Sequence, residues 1–300
     1  MNDYVHQRMV QEMVKSKFGS HAVLINKSPP HYPEQAEREF KRITNAYMRI
    51  LNKALKKHLP EIKKAAEEEV GQRHDGVINL YSRLMQIFHD IQSEVDDSIE
   101  RFNLSTKINY LAHVLKRLSV NEWKQTIDKT LGIQLMDDYY NGELLKELID
   151  EWVKTNVELI RTIPQDSLSK MKDVVLNGYR GGESTSTIVK QIQRIYGTER
   201  RHAQLIARDQ VAKLNGQITK AQQEDAGVKE YIWSTSGDSR VREGHRALNG
   251  KRFRWDDPPI VDAKTGRRAH PGEDYQCRCV ALAVFDYNTI DLPVAENGGG

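Results

Sequence analysis

ERRHAQLIARDQVAKLNGQITKAQQEDAG (residues 199–227) followed by VKEYIWSTS (residues 228–236) marks a change of character in the chain. In the first stretch Ala203, Ile206, Ala207, Val211, Leu214, Ile218 and Ala221 recur at the spacing of one helix face. Gly227 ends that pattern, and the next stretch is rich in β formers. GDSRVREGHRALNGKRFRW (237–255) then predicts a short helix capped by Asp238 and closed by Asn249-Gly250, with a strand after it. Residues 256–274 are rich in proline and glycine and read as a loop, and YQCRCVALAVF (275–285) reads as a last strand. Helix, strand, helix, strand, loop and strand make a compact α+β domain over residues 198–286, with 287–300 as a tail.

From residue 34 up to this point the chain is helical in pattern. In residues 34–197 the first apolar stripe is Phe40, Ile43, Tyr47, Ile50, Leu51, Ala54, Leu55 and Leu59. The second is Val77, Leu80, Leu84, Ile87, Phe88, Ile91, Val95, Ile99 and Phe102. Ser119 with Glu122 reads as a capping box at a helix start, and Pro164 as an interruption. Gly178, Gly181 and Gly182 stop one helix, and a further helix runs from about Ser184 to Gly197. Such helices pack as antiparallel hairpins in an elongated bundle. Residues 1–33 carry Pro29, Pro30 and Pro33 with little apolar surface, and read as an arm, either mobile or docked on a partner. The fold class is therefore mainly α with a small α+β C-terminal domain.

The 300 residues are 38% hydrophobic and 29% charged, with a net charge of +3, a balance compatible with nucleic acid without arguing for it. No apolar run is long enough for a membrane span, and the N-terminus lacks the apolar core of a signal peptide. With two cysteines in all, this places the chain in a reducing cytoplasm without a structural disulfide.

Those cysteines, Cys277 and Cys279, stand two apart, too close for an unstrained disulfide. On a strand both would face one way and Arg278 the other, as half of a metal site or as two small buried hydrophobes. If 238–247 is helical, Asp238, Arg242 and His245 share a face, with Asp238 as an N-cap that pairs with Arg242. His245 is then either a hydrogen-bonded core histidine or, with His270, Cys277 and Cys279, a zinc ligand. Asp238, His245 and His270 are also the residue types of a metal-dependent nuclease, although no known catalytic motif is present. Lys251, Arg252, Arg254, Arg267 and Arg268, interleaved with Trp233, Phe253 and Trp255, could track a DNA backbone, diluted by Asp256, Asp257, Glu273 and Asp274.

Several passages together resemble the phage minor head protein family, also called the Mu-F-like head morphogenesis family. AQLIARDQVAKLNGQ is similar to the family's helix, with Asp209-Gln210 where Thr-Glu is usual. WSTSGDSRVREGHRALNGKRF is similar to its core block, which sets Trp233, Asp238, Arg242, His245 and Gly250 at fixed intervals. HPGEDYQCRC is similar to the closing block, which ends Cys-Arg-Cys around Arg278. With the helical lead-in NVELIRTIPQDSLSKMKDVVLNGYRGGESTSTIVKQI, the resemblance covers roughly residues 150–285. It implies a non-enzymatic minor capsid protein, present in few copies inside the procapsid and associated with portal and capsid or scaffold proteins. It also implies a location in the virion near the portal after assembly in the host cytoplasm, and in some members binding to DNA; contacts to phosphate would make that binding to double-stranded DNA independent of sequence. Relatives carry what looks like a zinc site at this corner, with a cysteine where this chain has Arg242.

Overall fold

The computed structural model describes residues 3–19, 23–26, 29–69, 76–135 and 145–292. Within them the elements run α1 (Asp3–Phe18), β1 (Val23–Ile25), α2 (Glu34–Glu69), α3 (Gly76–Phe102), α4 (Leu104–Leu131), α5 (Lys146–Arg180) and α6 (Thr185–Asp225). They continue β2 (Glu230–Ser234), α7 (Glu243–Leu248), β3 (Arg252–Arg254), β4 (Ile260–Asp262), β5 (Arg267–Arg268) and β6 (Val280–Asp286). The mainly helical class with a small β region is thus what the chain adopts. No described helix is long and apolar enough to cross a membrane.

Several boundaries differ from the sequence reading. Ser119 and Glu122 lie inside α4, where Ser119 Oγ donates to Asn215 Oδ1 (3.0 Å) and Glu122 accepts the His31 N–H (3.1 Å). A capping signature needs a chain break before it, and the apolar period runs straight through this one. Pro164 is likewise inside α5. An interior proline costs about 3 kcal/mol, and burial of Ile160, Ile163 and Leu168 on both sides of it outweighs that. Gly197 does not separate two helices either: α6 runs through it, because an interior glycine costs only about 1 kcal/mol against alanine. The glycine stop at the end of α5 does form, with Gly182 at φ 74° and Glu183 N–H reaching Gly178 O (2.9 Å).

The chain divides into two compact units that cut across the domain order expected from the sequence. One comprises Arg38–Tyr110 and Val153–Ala207. Its core joins Leu51 and Leu55 of α2, Leu84, Phe88 and Ile91 of α3, Met171 and Val175 of α5, and Ile188 and Ile192 of α6. The predicted stripes face this core from Ile50 to Leu59 of α2 and from Leu80 to Ile99 of α3. Phe40, Ile43 and Tyr47 are buried outside it, Phe102 packs on Tyr47, and the side chain of Val77 lies outside the described residues.

The other unit comprises Met1–Glu37, Leu111–Trp152 and Arg208–Gly300 and carries the sheet. Its four strands run in the order β1-β6-β2-β3, with every pair antiparallel. β1 comes from the stretch read as an arm, and pairs Val23–Ile25 with Val284–Asp286. β4 and β5 form a separate hairpin inside the stretch read as a loop. Tyr231 and Trp233 of β2 are fully buried while their neighbours are not, the alternation of a strand covered on one face. The C-terminal part of α6 buries Val211, Leu214 and Ile218. Gly216 admits the loop that follows β5, since a Cβ there would meet Pro271 O at 2.8 Å. The tail beyond residue 292 lies outside the described residues.

Candidate functional site

The close approach at Gly216 brings the segment 270–279 onto the same unit as α7. α7 begins at Glu243, not at Asp238, and its N-cap position is Arg242, which makes no side-chain capping bond. Asp238, Arg242 and His245 therefore do not share a helix face. The Asp238 carboxylate instead folds back on its own turn, accepting the Arg240 N–H (2.9 Å) and pairing with the guanidinium groups of Arg240 (2.9 Å) and Arg278. The expected Asp238–Arg242 pair is replaced by Arg242 against Asp274 at 2.7 Å. Local Asx-type geometry supplies the nearer donors, and these outcompete a partner four residues on. Arg240 is the main cause that holds Asp238 down at about 2.

The turn closing α7 follows the sequence reading. Gly250 has φ 77°, its N–H reaches Trp233 O (2.8 Å), and Lys251 N–H reaches Leu248 O (3.0 Å), a turn that favours glycine at its third position. This ties α7 to β2 and sets His245 edge-on against the Trp233 ring, with centroids 5.4 Å apart.

Cys277 and Cys279 precede β6 rather than lying on it. They reach the same side through a turn in which Gln276 takes φ 50° and Cys277 N–H bonds to Asp274 O (3.1 Å). Both sulfurs lie 3.5 Å from His245 Nδ1, and both cysteines are free and buried. Asp274, itself buried, accepts from His245 Nε2 at 2.8 Å, which orients the ring so that Nδ1 faces the two sulfurs. Arg267 Nε lies 3.0 Å from the other Asp274 oxygen, an ion pair outside hydrogen-bonding angles. Asp274 is the group that sequence reasoning missed, having counted it only as a charge diluting a basic patch. Its place three residues before Cys277 in a tight loop was the available signal.

The electrostatics follow from these contacts. The Cys279 thiol, donating to Cys277, is the largest cause that draws Cys277 down to about 5, against burial and with His245 adding to it. The same bond, together with burial and the Cys277 charge, pushes Cys279 up. Burial alone would lower His245, but Cys277 and Asp274 outweigh it and raise it. Asp274 lies below its usual range: burial opposes this, and His245, the Tyr275 N–H and the two arginines overcome it.

The spacing of the donor atoms bears on zinc. A tetrahedral ion with ordinary Zn–S and Zn–N bonds holds N and S about 3.5 Å apart, and the two observed separations are 3.5 Å. All three ligand atoms lie within 4.8 Å of one another. A carboxylate on the far nitrogen of a ligating histidine is the usual outer partner. Three donors thus fit. The expected fourth ligand does not complete them, since His270 is not in the group. His270 shares a hydrogen bond with Tyr231 OH (2.8 Å), packs on Trp255 (4.8 Å between centroids), and has its pKa lowered, chiefly by burial. Asp238, His245 and His270, the trio of the nuclease reading, each take different partners, and none bonds to another.

The DNA candidates are mostly paired. Arg252 meets Glu230, Arg254 meets Asp256 (2.6 Å), Arg267 meets Asp262 (3.8 Å) and Asp274, and Arg268 meets Asp257. Of the five, Lys251 alone forms no ion pair among the described residues.

Fold and site together define a helix-rich protein whose α+β unit is closed by a buried imidazole–dithiol corner. Residues 169–282, which hold that whole corner, match the family described as Phage Mu protein F like protein. Minor head protein GP7 of Bacillus phage SPP1 is 20% identical to this chain over 278 residues, 86% of this chain and 88% of that protein. An uncharacterized protein of Haemophilus influenzae (strain ATCC 51907 / DSM 11121 / KW20 / Rd) is 36% identical over 157 residues, 52% of this chain. The chain covers only 34% of that longer relative. No solved structure matches this chain significantly.

Proposed function

We propose that this chain is a minor head protein that joins the capsid in few copies during assembly, on the inside and against the portal, and acts through protein contacts rather than turnover. The observation that carries the reading is the match to a minor head protein over nearly the full length of both chains. The corner supports it: His245, Cys277 and Cys279 are all buried, and their contacts join α7 to the segment before β6. We propose zinc as the ion of that corner, held by His245 Nδ1 and the two Sγ atoms. There it would supply a cross-link between segments distant in sequence. Quantitative mass spectrometry of gradient-purified procapsids and mature heads tests the main reading. A few copies in both are expected. Presence in procapsids alone would make the chain a scaffold, and absence from both would overturn the assignment.

A further inference from the structure

Against the imidazole–dithiol corner is a small pocket of about 30 Å³, walled on one side by His245, Cys277 and Cys279 and elsewhere by residues that include Arg208, Arg240, Arg242 and Arg278. With Arg267 behind Arg242 and also against Asp262, five guanidinium groups face three carboxylates. Asp238 serves Arg240 and Arg278, and Asp274 serves Arg242 and Arg267. Glu34 and Glu37 act on Arg240 from further away. Arg208 projects from α6, and its Nε is buried with no hydrogen-bond partner among the described residues. A buried charged donor left unmatched is costly, and a surplus of positive charge around it selects an anion. Size narrows the class. The volume holds one or two water-sized groups, enough for the two oxygens of a carboxylate and too little for a nucleotide phosphate with its substituents.

We propose that the pocket receives a single carboxylate, from an acidic side chain of another protein or from a small free acid, with Arg208 as its buried donor and Arg240 at its rim. The proposal does not depend on the head-protein reading. Arg240 is well exposed and Arg208 ends in a cavity, so glutamine at either position leaves the packed core in place.

The test follows the Arg208 Nε–H resonance of the full ¹⁵N-labelled chain, assigned by its loss in Arg208→Gln. Sodium acetate, sodium sulfate, sodium chloride and a blocked Gly-Gly-Asp-Gly-Gly peptide are titrated at constant ionic strength. Acetate and peptide should each give a saturable shift, weakened roughly tenfold in Arg240→Gln. A tighter peptide assigns the site to a protein partner, and equal affinities assign it to a free acid. Equal shifts with chloride, a response to sulfate alone, or indifference to Arg240→Gln would overturn the proposal. So would loss of the acetate shift when the wild-type chain is treated with a chelator, which would put the anion on a metal.

Discussion

At the scale of single residues, the chemistry of this protein is concentrated in Asp274, His245 and the two thiols. Because Asp274 accepts from Nε2, the opposite nitrogen is committed to the sulfurs, and one side chain decides what the other three can do. Zinc analysis of the full chain purified without chelator should find about one ion per chain, lost in Cys277→Ser. A metal-free wild type would leave the corner as a hydrogen-bonded cluster. A second residue-scale expectation concerns acid. The folded pKa of Asp238 is depressed to about 2, against an unfolded value of about 4. Its contribution is therefore present above pH 4 and lost as pH falls through 2. Urea midpoints measured between pH 5 and pH 2 should fall in the wild type and fall less steeply in Asp238→Asn.

At the scale of elements, α6 matters most, since it supplies Ile188 and Ile192 to one unit and Leu214 and Ile218 to the other. Its C-terminal end is fixed by a 6→1 bond from Val228 N–H to Gln223 O (2.9 Å) with Gly227 at φ 71°. A Cβ on Gly227 would lie 1.8 Å from Thr289 O, so backbone would have to move. Gly227→Ala should lower stability by more than the roughly 1–2 kcal/mol that a left-handed alanine costs alone. Chemical denaturation reads this directly, and a neutral result would mean that the segment around Thr289 yields freely.

At the scale of the whole molecule, net charge of +3 is a poor guide to DNA binding, because four of the five candidate side chains, Arg252, Arg254, Arg267 and Arg268, are paired with neighbouring carboxylates. Local pairing removes the field that a phosphate backbone would feel. Fluorescence anisotropy with duplex DNA should therefore show no binding at physiological salt and a shallow salt dependence at low salt. Tight binding with a steep salt slope would show instead that these ion pairs open on contact.

The sequence by itself determined the helical stripes, the Gly182 and Gly227 stops, the turn at Gly250 and strand β2, because each depends on neighbours a few residues away. The cysteine pair and His245 were also legible, from residue type and spacing. Only the tertiary structure decided that Pro164 and Gly197 lie inside helices, since burial on both sides overrides a local penalty. It alone placed β1 on the sheet, by pairing residues about 260 positions apart, which no local propensity encodes. And it alone separated His270 from the corner and put Asp274 into it. Both are polar residues in one short loop, and their fates were set by which face of the fold each turned toward.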